Sequence, residues 1–360
     1  MKFSKIIIDE STIAKNTATE RFKLAYKVCK QAEYVILLSG TPMMNGSAEM
    51  YAPLMLLGHP LSGDHKSKDK QAFEAIFAGG HRRKIRNTGI FYQDYAWWAK
   101  GSNHIREMRF LMRDKFFFVR KEDTGVFKTK ERLVIPVSMS LEWLAEYKSA
   151  WDEYFAGCKA KGTPAGKMDN IKELQNLIEN GKMYQVNSKW KARTVALHVA
   201  NRSEIDRRIV IFTMYLETEK IIKEELTRQG VAWKTFEDIK EWKKSDEPVL
   251  IGRIKAHGKG GNVPEASIVV MVDMDFVPAN NLQAENRIDR PEQKRNMKIL
   301  YYITEGDDVI DAHVRAINQE KTKKIEEFMR PFTAEELASM PEAVAIIRKK
   351  YGRYFTTLGL

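Results

Sequence analysis

The chain has 360 residues, 43% hydrophobic and 30% charged, which leaves room for two ordinary domains and excludes an intrinsically disordered protein. Sixty Lys and Arg against 48 Asp and Glu give a net charge of +12, a balance that favours a polyanionic partner such as nucleic acid. No run approaches the roughly 20 apolar residues of a membrane span, and two cysteines, Cys29 and Cys158, are too few for a disulfide framework, so a reducing, cytoplasmic setting with no membrane partner is expected.

In KFSKIIIDEST, Ile6 to Ile8 reads as a short, fully buried strand ending in two carboxylates, Asp9 and Glu10. A helix is expected from Ala18 to Gln31, with apolar Phe22, Ala25, Tyr26 and Val28. A second buried strand, Tyr34 to Leu38, is broken by Gly40 and Pro42. Strand, helix, strand with unbroken apolar strands is the pattern of a parallel sheet covered by helices. From Glu49 to Phe118 the sequence is helical in character but irregular, with the basic run HRRKIR (His81 to Arg86) and the aromatics Tyr92, Tyr95, Trp97 and Trp98. LVIPVSMS, residues 133–140, reads as an isolated strand. Helices follow around Trp143 to Phe155 and from Asn170 to Tyr184, with GCKAKGTPAGK as a surface turn between them.

A second α/β pattern begins near Arg207. RRIVIFTMY is a strand, ETEKIIKEELTRQG a helix closed by Gly230, and PVLIGRI and SIVVMVDMD are further strands. NLQAENRIDR reads as a helix and MKILYYIT as a last strand. Charged helices from Asp307 to Arg330 and from Thr333 to Tyr351 close the chain.

Ligands of open parallel sheets bind beyond the carboxyl ends of the strands, where Asp9 and Glu10 stand. There an Asp can hold hydrated Mg²⁺ on a nucleotide while a Glu orients the attacking water. A solvated acidic strand end is the plainer alternative. Arg287 and Arg290, three apart on the expected helix, would share one face and could clamp a triphosphate; ion pairs to Glu285 or Asp289 are the alternative. KAHGKGGN, Lys255 to Asn262, is a glycine-rich loop whose N–H groups could meet phosphates. It lacks the Lys-Ser/Thr ending of a Walker A loop.

Taken in order, these pieces resemble the Swi/Snf-type branch of the superfamily-two helicases and DNA translocases. IIIDEST is similar to that family's Walker B motif and VILLSGTPMMNG to its Ser/Thr-Gly-Thr-Pro motif. RRIVIFTMYLETEKIIKEEL is similar to the opening of the second RecA-like lobe, KAHGKGGNVPEAS to the Ala-Gly-Gly-x-Gly-x-Asn segment, and VVMVDMDFVPANNLQAENRIDRPEQ to the arginine motif. The resemblance is collinear from residue 4 to residue 320. It implies an α/β fold of RecA-like parallel sheets flanked by helices, one partial and one complete lobe with a helical insertion between. The divisions expected are 1–125 for the later half of lobe one with the insertion, 126–200 for a linker and helical protrusion, 201–325 for lobe two and 326–360 for a helical brace on it.

Residue by residue, the resemblance implies Asp9 for Mg²⁺, Glu10 for water activation, and Ser39, Gly40 and Thr41 for coupling hydrolysis to lobe movement. Gln283, Arg287 and Arg290 would line the ATP cleft, Arg290 as arginine finger, with Gly258, Gly260 and Asn262 joining ATP to nucleic acid. Thr213 and Lys255 would touch the nucleic-acid backbone. Six positions depart from the pattern: Ser11-Thr12 for Gly or Ala then His, Arg253-Ile254 for Ser-Thr, and His257 and Glu292 for glycines. The segment from Gly230 to Pro248 is short. No G-x-x-x-x-G-K-[ST] occurs anywhere, and eight residues precede Asp9. The expected function is an ATP- and Mg²⁺-dependent translocase on double-stranded DNA, with the Walker A part supplied by another polypeptide. The alternative is a truncated, non-hydrolysing nucleic-acid-binding module, with bases stacked on aromatics beside the HRRKIR run. For Trp97 and Trp98 a helical core is the plainer expectation.

Overall fold

The computed structural model describes residues 3–87, 93–99, 101–119, 124–125, 128–160, 182–201, 208–258, 261–306 and 309–360. In chain order its elements are β1 (Phe3–Ile8), α1 (Glu20–Cys29), β2 (Ala32–Leu37), α2 (Tyr51–Leu56), α3 (Ser67–Phe77), β3 (His81–Asn87), β4 (Gln93–Trp98), α4 (Ile105–Leu111), β5 (Lys130–Val137), α5 (Leu141–Ala160) and α6 (Lys182–Ala200). There follow β6 (Arg208–Thr213), α7 (Leu216–Arg228), β7 (Trp233–Thr235), α8 (Ile239–Trp242), β8 (Val249–Arg253), α9 (Ile254–His257), β9 (Ala266–Met271), α10 (Pro278–Glu285), β10 (Met297–Thr304), α11 (Ile310–Met329), α12 (Ala334–Lys350) and α13 (Gly352–Thr357). The chain divides into two compact units, residues 1–118 with 320–360, and residues 119–319.

The second unit is built on one parallel sheet in the order β5-β10-β9-β6-β8-β7. Its central strands β6, β8 and β9 are apolar runs because both their faces are covered. Ile209, Ile211, Ile251, Ile268 and Val270 pack with α6 and α7 residues such as Val195 and Ile222. The alternate residues Val210, Phe212, Leu250, Val269 and Met271 pack with Trp242, Ala284 and Ile288 on the other face. The α/β reading and four of the expected strands are seen here. The run read as an isolated strand is not isolated: β5 pairs in parallel with β10 from Lys130 to Val137 and forms one edge of the sheet. α5 and α6, expected in a separate protrusion, contribute Trp143, Tyr147, Tyr184 and Val195 to this unit's core. α5 runs through Ala160, into the stretch expected as a turn; the rest of that turn, the helix expected from Asn170 as far as residue 181, and Arg207 and Asp307 lie outside the described residues.

In the first unit β1 and β2 pair in parallel, Ile8 opposite Leu37. The two strands are not fully buried, as their apolar runs suggested. Ile6, Ile8, Val35 and Leu37 rest on a core that includes Phe22, Met43, Leu54 and Phe73. Ile7, Tyr34, Ile36 and Leu38, which alternate with them, are exposed, Ile7 by 62%. Only one face of this pair has cover among the described residues, so alternation splits each run into a packed and a bare half. α1 begins at Thr19, whose hydroxyl accepts the Phe22 N–H at 3.3 Å, and it buries Phe22 and Cys29, seven residues apart on one face.

The basic run 81–86, read as part of a helical region, is a strand. β3 and β4 form a separate two-stranded antiparallel ribbon. Trp97 and Trp98 therefore lie on a strand rather than in a helical core, and Tyr92 lies outside the described residues.

The C-terminal helices also depart from expectation. Residues from Glu320 onward group with the first unit, not with the six-stranded sheet that they were expected to brace. The buried Arg106 of α4 accounts for this. Its guanidinium donates to the carbonyls of Glu327, Arg330 and Pro331 at 2.9, 2.7 and 3.2 Å and to Glu336 Oε2 at 3.0 Å, and it lies over the Phe332 ring. One arginine thus satisfies the free carbonyls at the end of α11 and fixes the start of α12. A contact of such long sequence separation leaves no local pattern.

Candidate active site

In the first unit the acidic pair and the Ser-Gly-Thr segment come together. β1 and β2 end side by side, with Leu38 N–H donating to Ile8 O at 2.8 Å and Ser11 N–H to Leu38 O at 2.9 Å. Asp9 and Glu10 form the turn between these two bonds. Glu10 sits in the left-handed region, φ 48° and ψ 46°, and its N–H donates to Asp9 Oδ1 at 2.8 Å. A left-handed non-glycine residue costs about 1–2 kcal/mol and persists only where its surroundings hold it. Asp9 Oδ2 and both Glu10 carboxylate oxygens make no hydrogen bond or ion pair among the described residues, and both side chains are exposed. At the end of β2, Ser39 Oγ accepts the N–H of buried Thr41 at 3.1 Å; a side chain at Gly40 would meet open space. Ser11 and Thr12, in place of the family's small residue and His, are buried under the turn.

Two residues that the motifs did not flag hold this turn. Lys15 Nζ donates to Glu49 Oε1 at 2.8 Å, and Glu49 Oε2 accepts the N–H groups of Met44 and Asn45 at 2.8 and 3.0 Å. The acidic turn and the loop after Thr41 are so fastened to each other. Burial acts to raise the Glu49 carboxyl, but the Lys15 ammonium, with the hydrogen bonds from Lys15, Asn45 and Met44, outweighs it and holds the group below its ordinary value. A carboxyl lowered by folding adds stability above the unfolded value, about 4.3, and loses it as pH falls through the lower folded value. Thermal unfolding of wild type and Glu49→Gln should therefore differ by a constant margin above about pH 5.5 and converge as pH is lowered below the ordinary carboxylate range. A margin that widens on acidification contradicts this role.

Asp9 fits a Mg²⁺ site of the kind in which one or two protein carboxylates share the ion with phosphates and water. Its Oδ2 is the unused ligand atom. Among the described residues there is no group of three or more His, Cys, Asp or Glu that could hold a metal by itself.

In the second unit the expected shared helix face of Arg287 and Arg290 is not formed. α10 ends at Glu285, and both arginines follow in turns, with Arg287 N–H bonded to Ala284 O and Arg290 N–H to Ile288 O. The turn still gathers three expected residues. Arg287 donates to Gln283 O at 3.3 Å and to Asn262 Oδ1 at 3.4 Å, while Val263 N–H donates to Arg287 O at 2.9 Å. The guanidinium of Arg290 makes no hydrogen bond or ion pair among the described residues, and its Nε is buried, as is the unbonded Oε1 of Gln283. Buried polar atoms without partners are rare and mark positions where a ligand can complete the set.

Glu285, one of the two acids expected as alternative partners of these arginines, is occupied from β5. It accepts from Arg132 Nε and NH2 at 2.9 and 2.7 Å and from Tyr301 OH at 2.7 Å, and Lys130 Nζ lies 3.4 Å away and 3.1 Å from Asp289. Burial pushes the Glu285 carboxyl up, yet Arg132, Lys130 and Tyr301 together hold it below its ordinary value. This cluster pins the arginine turn to the sheet. Lys130 and Arg132 stand at alternate positions of an apolar strand, a signal visible in KERLVIPV but without a partner until the fold is known.

Gly258 follows α9, where a Cβ would lie 2.3 Å from Ile254 O, so only glycine fits. Gly260 lies outside the described residues. His257, standing where a glycine is usual, accepts Arg253 N–H at 2.9 Å through Nδ1 and stacks on Phe236, and Arg253 Nε lies 3.2 Å from Glu219 Oε2. Those departures serve packing of the loop. Lys255 has a half-exposed side chain whose Nζ is 3.9 Å from Asp275 Oδ2. Thr213 does not face solvent as a backbone contact must. It is fully buried, and its hydroxyl donates to Asp273 Oδ2 at 2.8 Å.

Fold and motif order thus define an α/β protein with a RecA-like parallel sheet, of the kind the Swi/Snf resemblance implied. No protein-family model matches the chain. Curated relatives do, along most of its length. A SWI/SNF-related matrix-associated actin-dependent regulator of chromatin subfamily A-like protein 1 from Xenopus tropicalis is 25% identical over 338 residues, 89% of this chain and 33% of the relative. The Drosophila melanogaster protein of that name is 24% identical over 99% of this chain and 48% of its own length. The human DNA annealing helicase and endonuclease ZRANB3 is 24% identical over 84% of this chain and 28% of its own. The chain spans about a third to a half of the length of these SWI/SNF-related proteins. The resemblance to Swi/Snf-type superfamily-two helicases therefore rests on collinear relatives as well as on motifs. No helix among the described residues is long and apolar enough to cross a membrane.

Proposed function

We propose that the chain is the later part of an ATP-dependent translocase that moves on double-stranded DNA. The observation that carries this reading is the left-handed Asp9-Glu10 turn, two unpaired carboxylates held beside the Ser39–Thr41 turn at the carboxyl ends of paired parallel strands. Mg²⁺ supplies charge neutralisation to the nucleotide phosphates. Asp9 holds that ion through Oδ2, and Glu10 orients and deprotonates the attacking water. Arg290, whose guanidinium makes no hydrogen bond or ion pair among the described residues, neutralises the charge that develops on the transferred phosphoryl group, supported by Arg287 and Gln283. Asn262, bonded to Arg287, and exposed Lys255 couple that chemistry to the nucleic-acid backbone, with Gly258 and Gly260 shaping their loop.

Nucleotide affinity also needs a phosphate cradle of backbone N–H groups and a lysine. No such sequence occurs among the 360 residues, so it comes from a further polypeptide segment. The apolar face of β1 and β2 that is uncovered among the described residues, with Ile7, Tyr34 and Ile36, supports a segment packing there. The test is ATP hydrolysis by the chain with and without the product of the reading frame immediately upstream, each with and without duplex DNA. Hydrolysis stimulated by DNA when both polypeptides are present is expected. Hydrolysis indifferent to DNA, or none in the complete mixture, contradicts the proposal.

A further inference from the structure

The β3–β4 ribbon is unused by the chemistry above, yet its first strand is the element richest in Lys and Arg for its length among the described residues. Its first strand carries Arg82, Arg83, Lys84 and Arg86 in seven residues with no acid, and its second carries one acid, Asp94. The register sets Arg82 opposite Trp97, Arg83 opposite Ala96, Lys84 opposite Tyr95 and, after an irregularity at residue 85, Arg86 opposite Asp94. Alternate strand positions belong to opposite faces, and four basic residues within five positions of one strand have no apolar pattern that would explain them.

The root of the ribbon is built with care. Trp97 Nε1 donates to Glu74 Oε2 of α3 at 2.6 Å, Gly80 N–H donates to Glu74 O at 2.8 Å, and Gly101 N–H to Ala78 O at 2.9 Å. A Cβ at Gly80 would lie 2.5 Å from the Trp97 ring and 2.8 Å from the Glu74 backbone, so the chain enters the ribbon through a contact that admits only glycine. Glu74, Ala75, Ile76 and Phe77 beneath it are buried. A basic ribbon is thus mounted on the end of a core helix instead of tethered by a loose loop.

We propose that the β3–β4 ribbon is a nucleic-acid-binding arm that grips duplex phosphates independently of sequence and apart from the ATPase motifs. A two-stranded ribbon has the width to enter the major groove, where a strand this rich in Arg and Lys meets the flanking phosphates. An acidic protein surface would match the charge as well. Nucleic acid is favoured by the arginine content, since planar guanidinium forks suit phosphate, and by the chain's excess of 12 positive charges. The inference shares with the proposed function a nucleic-acid partner but not hydrolysis.

The test is binding of the full chain to a fluorescent duplex between about 50 and 200 mM salt, for wild type and for the joint change of Arg82, Arg83, Lys84 and Arg86 to Ala. The expected results are at least a tenfold loss of affinity at low salt and a salt slope shallower by about 3–4. A single Arg82→Glu change at an exposed position guards against misfolding of the fourfold variant and should weaken binding in the same direction. The joint Arg-to-Lys change at 82, 83 and 86 should keep the slope. An unchanged slope in the Ala and Glu variants overturns the inference while leaving the translocase reading intact. Loss of binding in the Ala variant, with no DNA-stimulated hydrolysis by the wild-type chain combined with the upstream polypeptide, overturns the translocase reading and leaves the arm. Competition by poly-glutamate as effective as by duplex assigns the arm to an acidic protein and overturns it too.

Discussion

Replacing Lys191 by Ala should destabilise the second unit more than any other single change at a polar site. Lys191 Nζ, 1% exposed, donates to Asp311 Oδ2 and Oδ1 at 2.9 and 3.1 Å and to Tyr302 O at 3.3 Å, and Asp273 Oδ1 lies 3.7 Å away. Asp273 Oδ2 in turn accepts from Ser188 Oγ, Thr213 Oγ1 and Met214 N–H at 2.7, 2.8 and 3.0 Å. Asp311 Oδ2 also accepts the Thr304 N–H at 2.8 Å. The ammonium faces both buried carboxylates, and its removal leaves their negative charge without a cation among the described residues. Breaking a buried pair from one side costs about 3–5 kcal/mol, which for a domain of this size lowers the melting temperature by on the order of 10 °C. Calorimetry of wild type and variant checks it, and a fall of only a degree or two would refute the assignment. The network lies at the carboxyl ends of β6, β9 and β10, where the strand order reverses and α/β sheets place their functional loops. Its job is to fix the exits of those strands.

The second large effect is chemical. Arg290→Ala should lower kcat for DNA-stimulated ATP hydrolysis by roughly 10²-fold or more, in the range of other arginines that neutralise phosphoryl-transfer charge. Stability should change little, because the guanidinium makes no hydrogen bond or ion pair among the described residues that its loss would break. Arg287→Ala should have a mixed effect, since Arg287 also holds Gln283 O and Asn262. Measuring kcat and melting temperature together separates the two cases. A kcat unaffected by Arg290→Ala removes the arginine-finger role.

The six-stranded unit was legible because its central strands are covered on both faces, so Ile209–Phe212 and Ile268–Met271 appear as unbroken apolar runs. The same rule misled at Ile6–Ile8 and Tyr34–Leu38, where the runs are equally apolar but one face is bare. The acidic turn was legible from its place after a strand; its left-handed Glu10 was not, since nothing in DEST demands it. The end of α10 was misjudged because NLQAENRIDR holds no Gly or Pro before Pro291. What stops the helix is tertiary, the hold of Arg132 and Lys130 on Glu285 and Asp289. Thr213 looked available only because burial cannot be read at a strand end. The ribbon escaped notice since its charges and aromatics follow no apolar period. The Lys15–Glu49 and Arg106–Glu336 bonds join residues far apart in the chain and leave no local trace.

The proposed role of the Asp9-Glu10 turn as the hydrolytic centre of a DNA-driven ATPase is tested most directly by Glu10→Gln in the protein reconstituted with the upstream polypeptide. ATP binding and melting temperature should persist while DNA-stimulated turnover falls by about 10²–10⁴-fold, the usual contribution of a general base. Turnover equal to wild type would contradict it.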